Sequence, residues 1–247
     1  MIVVFDIDGT LTRSREADAL AFASAFRATF GVPLPTTDWS AYRHATSAGI
    51  LEEALVRVRG RSPTAEEGRA MQVAFRAELE RALPEAGLAV PGAATVLDRL
   101  RARGHAVAIA TGAWRWEGER KLARAGIAHA GVAFASSDDH ADRAVILRTA
   151  LVLAGWRFGT PAVYVGDGPW DVRAARALDV GFVGVDVDGD GRLAAMGCER
   201  VLADLTEADP LAAAGDVCAN GIPFRCEATE ETAAGCPDVP CTTCVGF

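Results

Sequence analysis

The spacing of apolar residues changes several times along the chain, and each change marks a structural boundary. Residues 1–5 (MIVVF) form an unbroken apolar, β-branched run that ends at Asp6, the pattern of a strand buried on both faces of a parallel sheet. From Arg13 to about Leu88 the apolar positions recur at helical spacing instead. ADALAFASAFRATFG predicts an amphipathic helix stopped by Gly31, and ILEEALVRV and AEEGRAMQVAFRAELERAL repeat the pattern. The segment DWSAYRHATSAG between them is a polar and aromatic loop. No period-two alternation occurs in this block, so it is expected to be all helix.

Beyond Pro91, short apolar runs alternate with helical patterns. AATVLDRLRARG, RWEGERKLARAG, DRAVILRTALVLAG and WDVRAARALDVG read as helices. HAVAIATG, GVAFASS, PAVYVGDG and VGFVGVDV read as strands, the last of them closing the series. Strict alternation requires crossover connections and a parallel sheet covered on both faces, an α/β architecture of Rossmann-like type. The first strand belongs to this sheet. The expected organisation is a core of residues 1–12 and 89–214, an inserted all-helical unit at 13–88, and an irregular Cys-rich extension over 215–247. No internal repeat is present.

Composition narrows the function. Half of the 247 residues are apolar and 23% are charged, a globular balance rather than a disordered one. A net charge of −8 argues against a nucleic-acid partner, whose binding rests on Lys and Arg neutralising phosphates. It leaves open a small phosphorylated substrate, since a bound cation can reverse the field within a cleft. The apolar run at the N-terminus lacks a basic leader, and no stretch approaches the ~18 apolar residues of a membrane span. A cytoplasmic location without membrane contact is the expectation. The oligomeric state is left open.

Ligands gather at the carboxyl ends of strands in open parallel sheets, and three strands here end in reactive groups: VVFDIDGT, AIATG and VYVGDG. Each alone is ordinary turn chemistry; their coincidence at successive strand ends is not. Asp6 and Asp8, two apart, would face opposite ways in an extended chain, but a kink after Phe5, allowed by Gly9, brings both into one cavity. With Asp167 arriving from another strand, the carboxylates require a hard divalent cation, and Mg²⁺ suits carboxylate plus phosphate ligands. A carboxylate beside such an ion can attack phosphorus. The Thr111 hydroxyl and the Gly112 turn are placed to hold phosphoryl oxygens.

The set DIDGTLT, IATG and VYVGDGPWDV resembles the haloacid dehalogenase-like (HAD) superfamily over residues 1 to about 210, the helical block matching that family's mobile cap. The resemblance implies a phosphoric monoester hydrolase in which Asp6 forms an aspartyl-phosphate, Asp8 protonates the leaving oxygen and later deprotonates water, and Thr111 binds the phosphoryl group. It implies Mg²⁺ held by Asp6, the Asp8 backbone carbonyl and Asp167, with Asp171 orienting metal-bound water or the basic residue. Members that cleave carbon–halogen bonds lack the second Asp, so Asp8 favours phosphoryl transfer. The basic residue that the family requires is not in its common KP form; Arg143 is the first candidate and Lys121, otherwise a solvated helix position, the second. In the cap loop, Trp39, Tyr42, His44, Thr46 and Ser47 are either substrate-facing or packing residues, with His44 and Thr46 carried as substrate-binding candidates. Trp114 and Trp116 either line the cleft or cover the sheet edge, and Trp170 reads as packing. Asp138 and Asp139 either assist the metal or cap the helix that follows them, and capping is expected. Alternatives to a phosphatase are a phosphomutase of the β-phosphoglucomutase kind and a catalytically silent scaffold.

VDVDGDG (Asp186, Asp188, Asp190) starts like a calcium loop, but the twelfth loop position falls on Gly197, so a solvated turn is expected. All six cysteines lie in the last fifty residues: Cys198, Cys218, Cys226, Cys236, Cys241 and Cys244. The tail is compatible with a Zn²⁺ site built on the Cys241/Cys244 pair, with a disulfide-stapled appendage, or with a fused precursor peptide.

Overall fold

The computed structural model describes residues 1–157 and 159–207. Cys218, Cys226, Cys236, Cys241 and Cys244, with every reading attached to them, lie outside the described residues. Strands β1 (Ile2–Phe5), β2 (Ala106–Ala110), β3 (Ala133–Ala135), β4 (Ala162–Gly166), β5 (Gly181–Val185) and β6 (Val201–Leu202) form one sheet in the order β3-β2-β1-β4-β5-β6. Every neighbouring pair is parallel. The helices are α1 (Arg15–Phe30), α2 (Ser47–Arg59), α3 (Ala65–Ala82), α4 (Ala93–Ala102), α5 (Arg115–Arg124), α6 (Arg143–Leu153), α7 (Pro169–Ala177) and α8 (Arg192–Ala195).

The period-two alternation of β1 sends Val3 and Phe5 to one face and Ile2 and Val4 to the other. Val3 and Phe5 pack with Val96, Leu97 and Leu100 of α4 and Leu122 of α5. Ile2 and Val4 pack with Ile146, Leu147 and Leu151 of α6 and Ala174 and Ala175 of α7. Both faces are therefore dry, which is why the strand reads as an unbroken apolar run. Helices α1, α2 and α3 and a 3₁₀ turn at Trp39–Ala41 occupy the block between β1 and α4. They share their own apolar cluster around Phe22, Phe26, Leu55, Met71, Phe75 and Leu79.

Two expectations are corrected. VGFVGVDV does not close the sheet: Val201 and Leu202 pair with Gly184 and Val185, over a length too short for alternation to appear. Asp138 and Asp139 do not cap α6. Asp142 does, accepting from the amides of Ala144 and Val145. Asp138 accepts from the Arg115 amide at the start of α5, and Asp139 from the Ser136 amide within its own loop.

Candidate active site

The sheet order fixes where chemistry gathers. After β1 the chain fills one side of the sheet with β2 and β3, then returns to the other side of β1 with β4. The carboxyl ends of β2, β1 and β4 thus meet where the strand order reverses, the position at which open α/β sheets bind ligands. Phe5 is level with Ile109 on one neighbour and Val165 on the other, so Asp6, Thr111 and Asp167 emerge close together.

Asp6 and Asp8 both line one cleft, joined there by Asp18, Ser47, Glu117, Arg143 and others. The turn that makes this possible passes through Gly9 at φ 83°. A Cβ on Gly9 would sit 2.1 Å from Oδ2 of Asp167. Gly112 is constrained in the same way, because a Cβ there would lie 2.6 Å from the Ala45 carbonyl and 2.8 Å from the Arg143 guanidinium. Both glycines let backbone approach charged groups that any side chain would displace.

Carboxylate oxygens of Asp6, Asp167 and Asp171 lie within 4.8 Å of one another, all three buried. Burial, reinforced by the neighbouring carboxylates, pushes the Asp6 carboxyl well above its usual range despite the pull of Arg143. Asp167 is pushed up to about 8, by burial first and by Asp171 next. Neither Asp167 oxygen accepts a hydrogen bond from the described residues, although Arg15 forms an ion pair with Oδ2 at 2.9 Å. Buried, unsatisfied carboxylate oxygens facing other carboxylates fit a hard divalent cation with oxygen ligands. Asp171 is more fully engaged, accepting from the Tyr164 hydroxyl at 2.9 Å and from the Gly168 amide at 3.0 Å.

Two cations serve two carboxylate groups. Arg143, at the start of α6, donates to Asp6 at 2.9 Å and approaches Asp171 at 3.6 Å. It also donates to the Ala45 carbonyl ahead of α2. Lys121 is fully buried, not solvated, and its ammonium meets Asp8 at 2.7 Å, Asp18 at 2.6 Å and Glu117 at 2.5 Å. Burial opposes its charge, but the three carboxylates outweigh burial and hold the ammonium well above its ordinary pKa. Asp8 further accepts from the Ser14 hydroxyl.

Thr111 is buried at the end of β2, and its hydroxyl accepts from the Ala113 amide at 3.1 Å; Gly112 and Ala113 line the cleft beside it. Thr46 caps α2, accepting from the Gly49 amide and donating to the Ala141 carbonyl at 2.7 Å. His44 faces Asp142 at 3.7 Å. The cleft wall instead draws Trp39, Ala45, Ser47 and Ile50 from this part of the chain. Tyr42 is buried and donates to the Thr36 carbonyl. Trp114 stacks on Phe22 inside the helical cluster, and Arg76 lies over the Trp116 ring. Trp170 lines the cleft, and its buried indole N–H has no partner among the described residues.

Sequence reasoning did not find Arg15, Asp18 or Glu117. Arg15 pairs with Asp167 and Asp188. Asp188 thus belongs to the rim of the site, while Asp186 accepts from the amides of Asp190 and Gly191 in a turn. The signal available for Glu117 was its spacing four residues before Lys121 on one helix face.

The family model of the haloacid dehalogenase-like hydrolases matches residues 1–179. Among solved structures, the chain is similar to a hydrolase from Pseudomonas syringae at 25% identity and TM-score 0.68, covering 87% of this chain and 97% of that one. It is similar to a candidate beta-phosphoglucomutase from Bacteroides vulgatus at 23% identity and TM-score 0.64, covering 83% and 84%. It is also similar to CbbY from Rhodobacter sphaeroides, solved in complex with phosphate, at 22% identity and TM-score 0.60, covering 83% and 95%. No curated protein matches the chain. Among the described residues, no helix is long and apolar enough to cross a membrane.

Proposed function

The chain belongs to the haloacid dehalogenase-like hydrolase family, and from that premise we propose that it is a magnesium-dependent phosphatase acting in the cytoplasm on a small phosphate monoester. The observation that carries the reading is the buried triad of Asp6, Asp167 and Asp171 with Arg143 on Asp6 and Asp8 in the same cleft.

The roles follow from position. A carboxylate oxygen of Asp6 attacks phosphorus, and the bond from phosphorus to the alcohol oxygen breaks. Asp8 gives its proton to that departing oxygen, so a neutral alcohol leaves. Asp8 then takes a proton from water as the water oxygen attacks the aspartyl-phosphate, releasing phosphate and restoring Asp6. Arg143 offsets negative charge at Asp6 throughout, and the Gly112–Ala113 turn with Thr111 cradles the phosphoryl oxygens. Asp6, Asp167 and the Asp8 carbonyl would hold Mg²⁺, with Asp171 orienting its water or Arg143; the ion would supply charge neutralisation for the nucleophile and the phosphoryl group.

The test is magnesium-dependent phosphate release from p-nitrophenyl phosphate and a panel of alkyl phosphates, with Asp6→Asn as control. Release by the wild type and none by the variant is the expected pattern. Release that persists in Asp6→Asn would refute the nucleophile.

A further inference from the structure

The loop after β5 carries three aspartates, and two of them are used locally. Asp186 accepts from the amides of Asp190 and Gly191. Asp190 accepts from the Arg192 amide and pairs with the Arg192 side chain at 2.6 Å. Asp188 turns instead to the first residue of α1, meeting one terminal nitrogen of Arg15 at 2.5 Å. The other terminal nitrogen of Arg15 lies 2.9 Å from Oδ2 of Asp167. One guanidinium thus spans two carboxylates, drawn from the ends of two different strands of the sheet.

The two ends of this bridge are unlike. Asp167 is buried beside Asp6 and Asp171, whereas the Asp188 side chain is 66% exposed. Arg15 itself lines the cleft and keeps 27% of its side chain in solvent, so it is free to swing outward. Its Cδ lies 3.0 Å from where a Cβ on Gly9 would stand, so the side chain runs along the turn that follows Asp8. A guanidinium keeps its charge at any working pH. A permanent positive charge therefore sits at contact distance from a carboxylate oxygen of the cluster that fits a divalent cation. Two cations against one carboxylate repel each other, and burial strengthens the repulsion.

We propose that Arg15 is a displaceable counter-ion of the metal site: the guanidinium and a divalent cation hold Asp167 in alternation, and Asp188 receives Arg15 when Asp167 is given up. The proposal rests on the metal assignment within the phosphatase reading and adds a cost to metal binding that the chain itself sets. Asp188 is already in contact with Arg15, so the transfer breaks one ion pair and keeps the other. Because Arg15 opens α1, the exchange also releases the first turn of the helical insertion from the buried carboxylates of the sheet and leaves it tied to the exposed loop after β5.

Calorimetric titration of the full chain with magnesium chloride, at one fixed pH and without substrate, tests the proposal in a double-mutant cycle. Arg15→Met keeps the length of the side chain and removes its charge, so magnesium should bind more tightly by on the order of tenfold. Asp188→Asn leaves the displaced guanidinium without its carboxylate, so magnesium should bind more weakly by roughly two- to fivefold, the worth of an exposed ion pair. In the Arg15→Met background Asp188→Asn should change nothing, because its effect passes through Arg15. The calorimetric stoichiometry counts the competent molecules, so a partly folded variant still returns its affinity. Unchanged or weaker binding in Arg15→Met overturns the proposal and leaves the metal assignment standing. Asp188→Asn without effect in the wild type, or with the same effect in both backgrounds, overturns the transfer to Asp188. Magnesium bound by Arg15→Met alone upholds the proposal. If neither the wild type nor Arg15→Met binds magnesium, the metal assignment fails and the proposal falls with it.

Discussion

Lys121→Met tests the electrostatic core of the site through stability rather than activity. In the native protein one fully buried ammonium is shared by Asp8, Asp18 and Glu117. Methionine fills nearly the same volume but leaves three carboxylates with no counter-charge. Removing one partner from a buried ion pair costs about 3–5 kcal/mol, because the remaining charge stays desolvated. In a chain of 247 residues each kcal/mol moves Tm by about 2–4 °C, so a fall of about 6–20 °C is expected near pH 8. The pH dependence gives the sharper check. The folded pKa of Lys121 lies above its ordinary 10.5, so its contribution is complete below that pH and is lost only as pH rises through the higher folded value. Between pH 5 and 8 the native protein keeps this interaction. In the variant, Asp18 and Glu117 lose the cation that lowers their pKa values, which are already raised by burial. Raised carboxyl values mean that stability falls as pH rises from the unfolded pKa through the folded one. The gap in Tm between wild type and variant should therefore widen from pH 5 to pH 8, as followed by circular dichroism. A variant as stable as the wild type at pH 8, or a gap independent of pH, would show that Lys121 does not neutralise this cluster.

Asp8→Asn should keep magnesium binding, measured by calorimetry, while turnover of alkyl phosphates falls about 10²–10⁴-fold through loss of proton transfer. Unchanged turnover would remove Asp8 from that role. Gly9→Ala places a Cβ against Asp167 on a backbone at φ 83°, so magnesium affinity should fall and stability should drop by about 1–2 kcal/mol or more. Wild-type affinity in that variant would mean that the turn relaxes freely. Asp167 sits at about 8, so at pH 7 magnesium must displace a proton, and affinity should weaken as pH falls below 8. Calorimetry in buffers of different ionisation enthalpy should record proton release, and buffer-independent heats would contradict the assignment.

The sequence disclosed those parts of the molecule whose period or position is distinctive. A four-residue strand buried on both faces leaves an apolar run, and a carboxylate immediately after it can only lie at the sheet edge, so Asp6 and Asp167 were locatable. Helical positions were not. Asp18 and Glu117 face inward from α1 and α5, yet a charged residue pointing into a cleft leaves the same trace in a sequence as one pointing into water. Arg15 lies in the first turn of α1 and reaches Asp167 across 152 positions, which no local pattern encodes. The loop SSDDHAD holds three aspartates in five residues, and only backbone geometry decides that Asp142 caps α6 while Asp138 serves α5. Strand β6 is two residues long, below the length at which alternation can be recognised.

Arg143 and Lys121 appear in the sequence as rivals for one position, and in the structure each meets its own carboxylates. The reason is electrostatic. A cation placed to neutralise Asp6 and Asp171 would leave Asp8, Asp18 and Glu117 as three buried negative charges, a state far less favourable than either pair alone. Two separate cations solve both problems and leave Asp6 and Asp8 with different neighbours. Each cation also binds the helical insertion. Arg143 donates to the Ala45 carbonyl before α2, and Lys121 pairs with Asp18 on α1. Any movement of α1 and α2 away from the sheet strips both cations of a partner at once. The arrangement of the two cations is therefore coupled to the seating of the insertion, and neither can be altered without loosening the wall of the cleft.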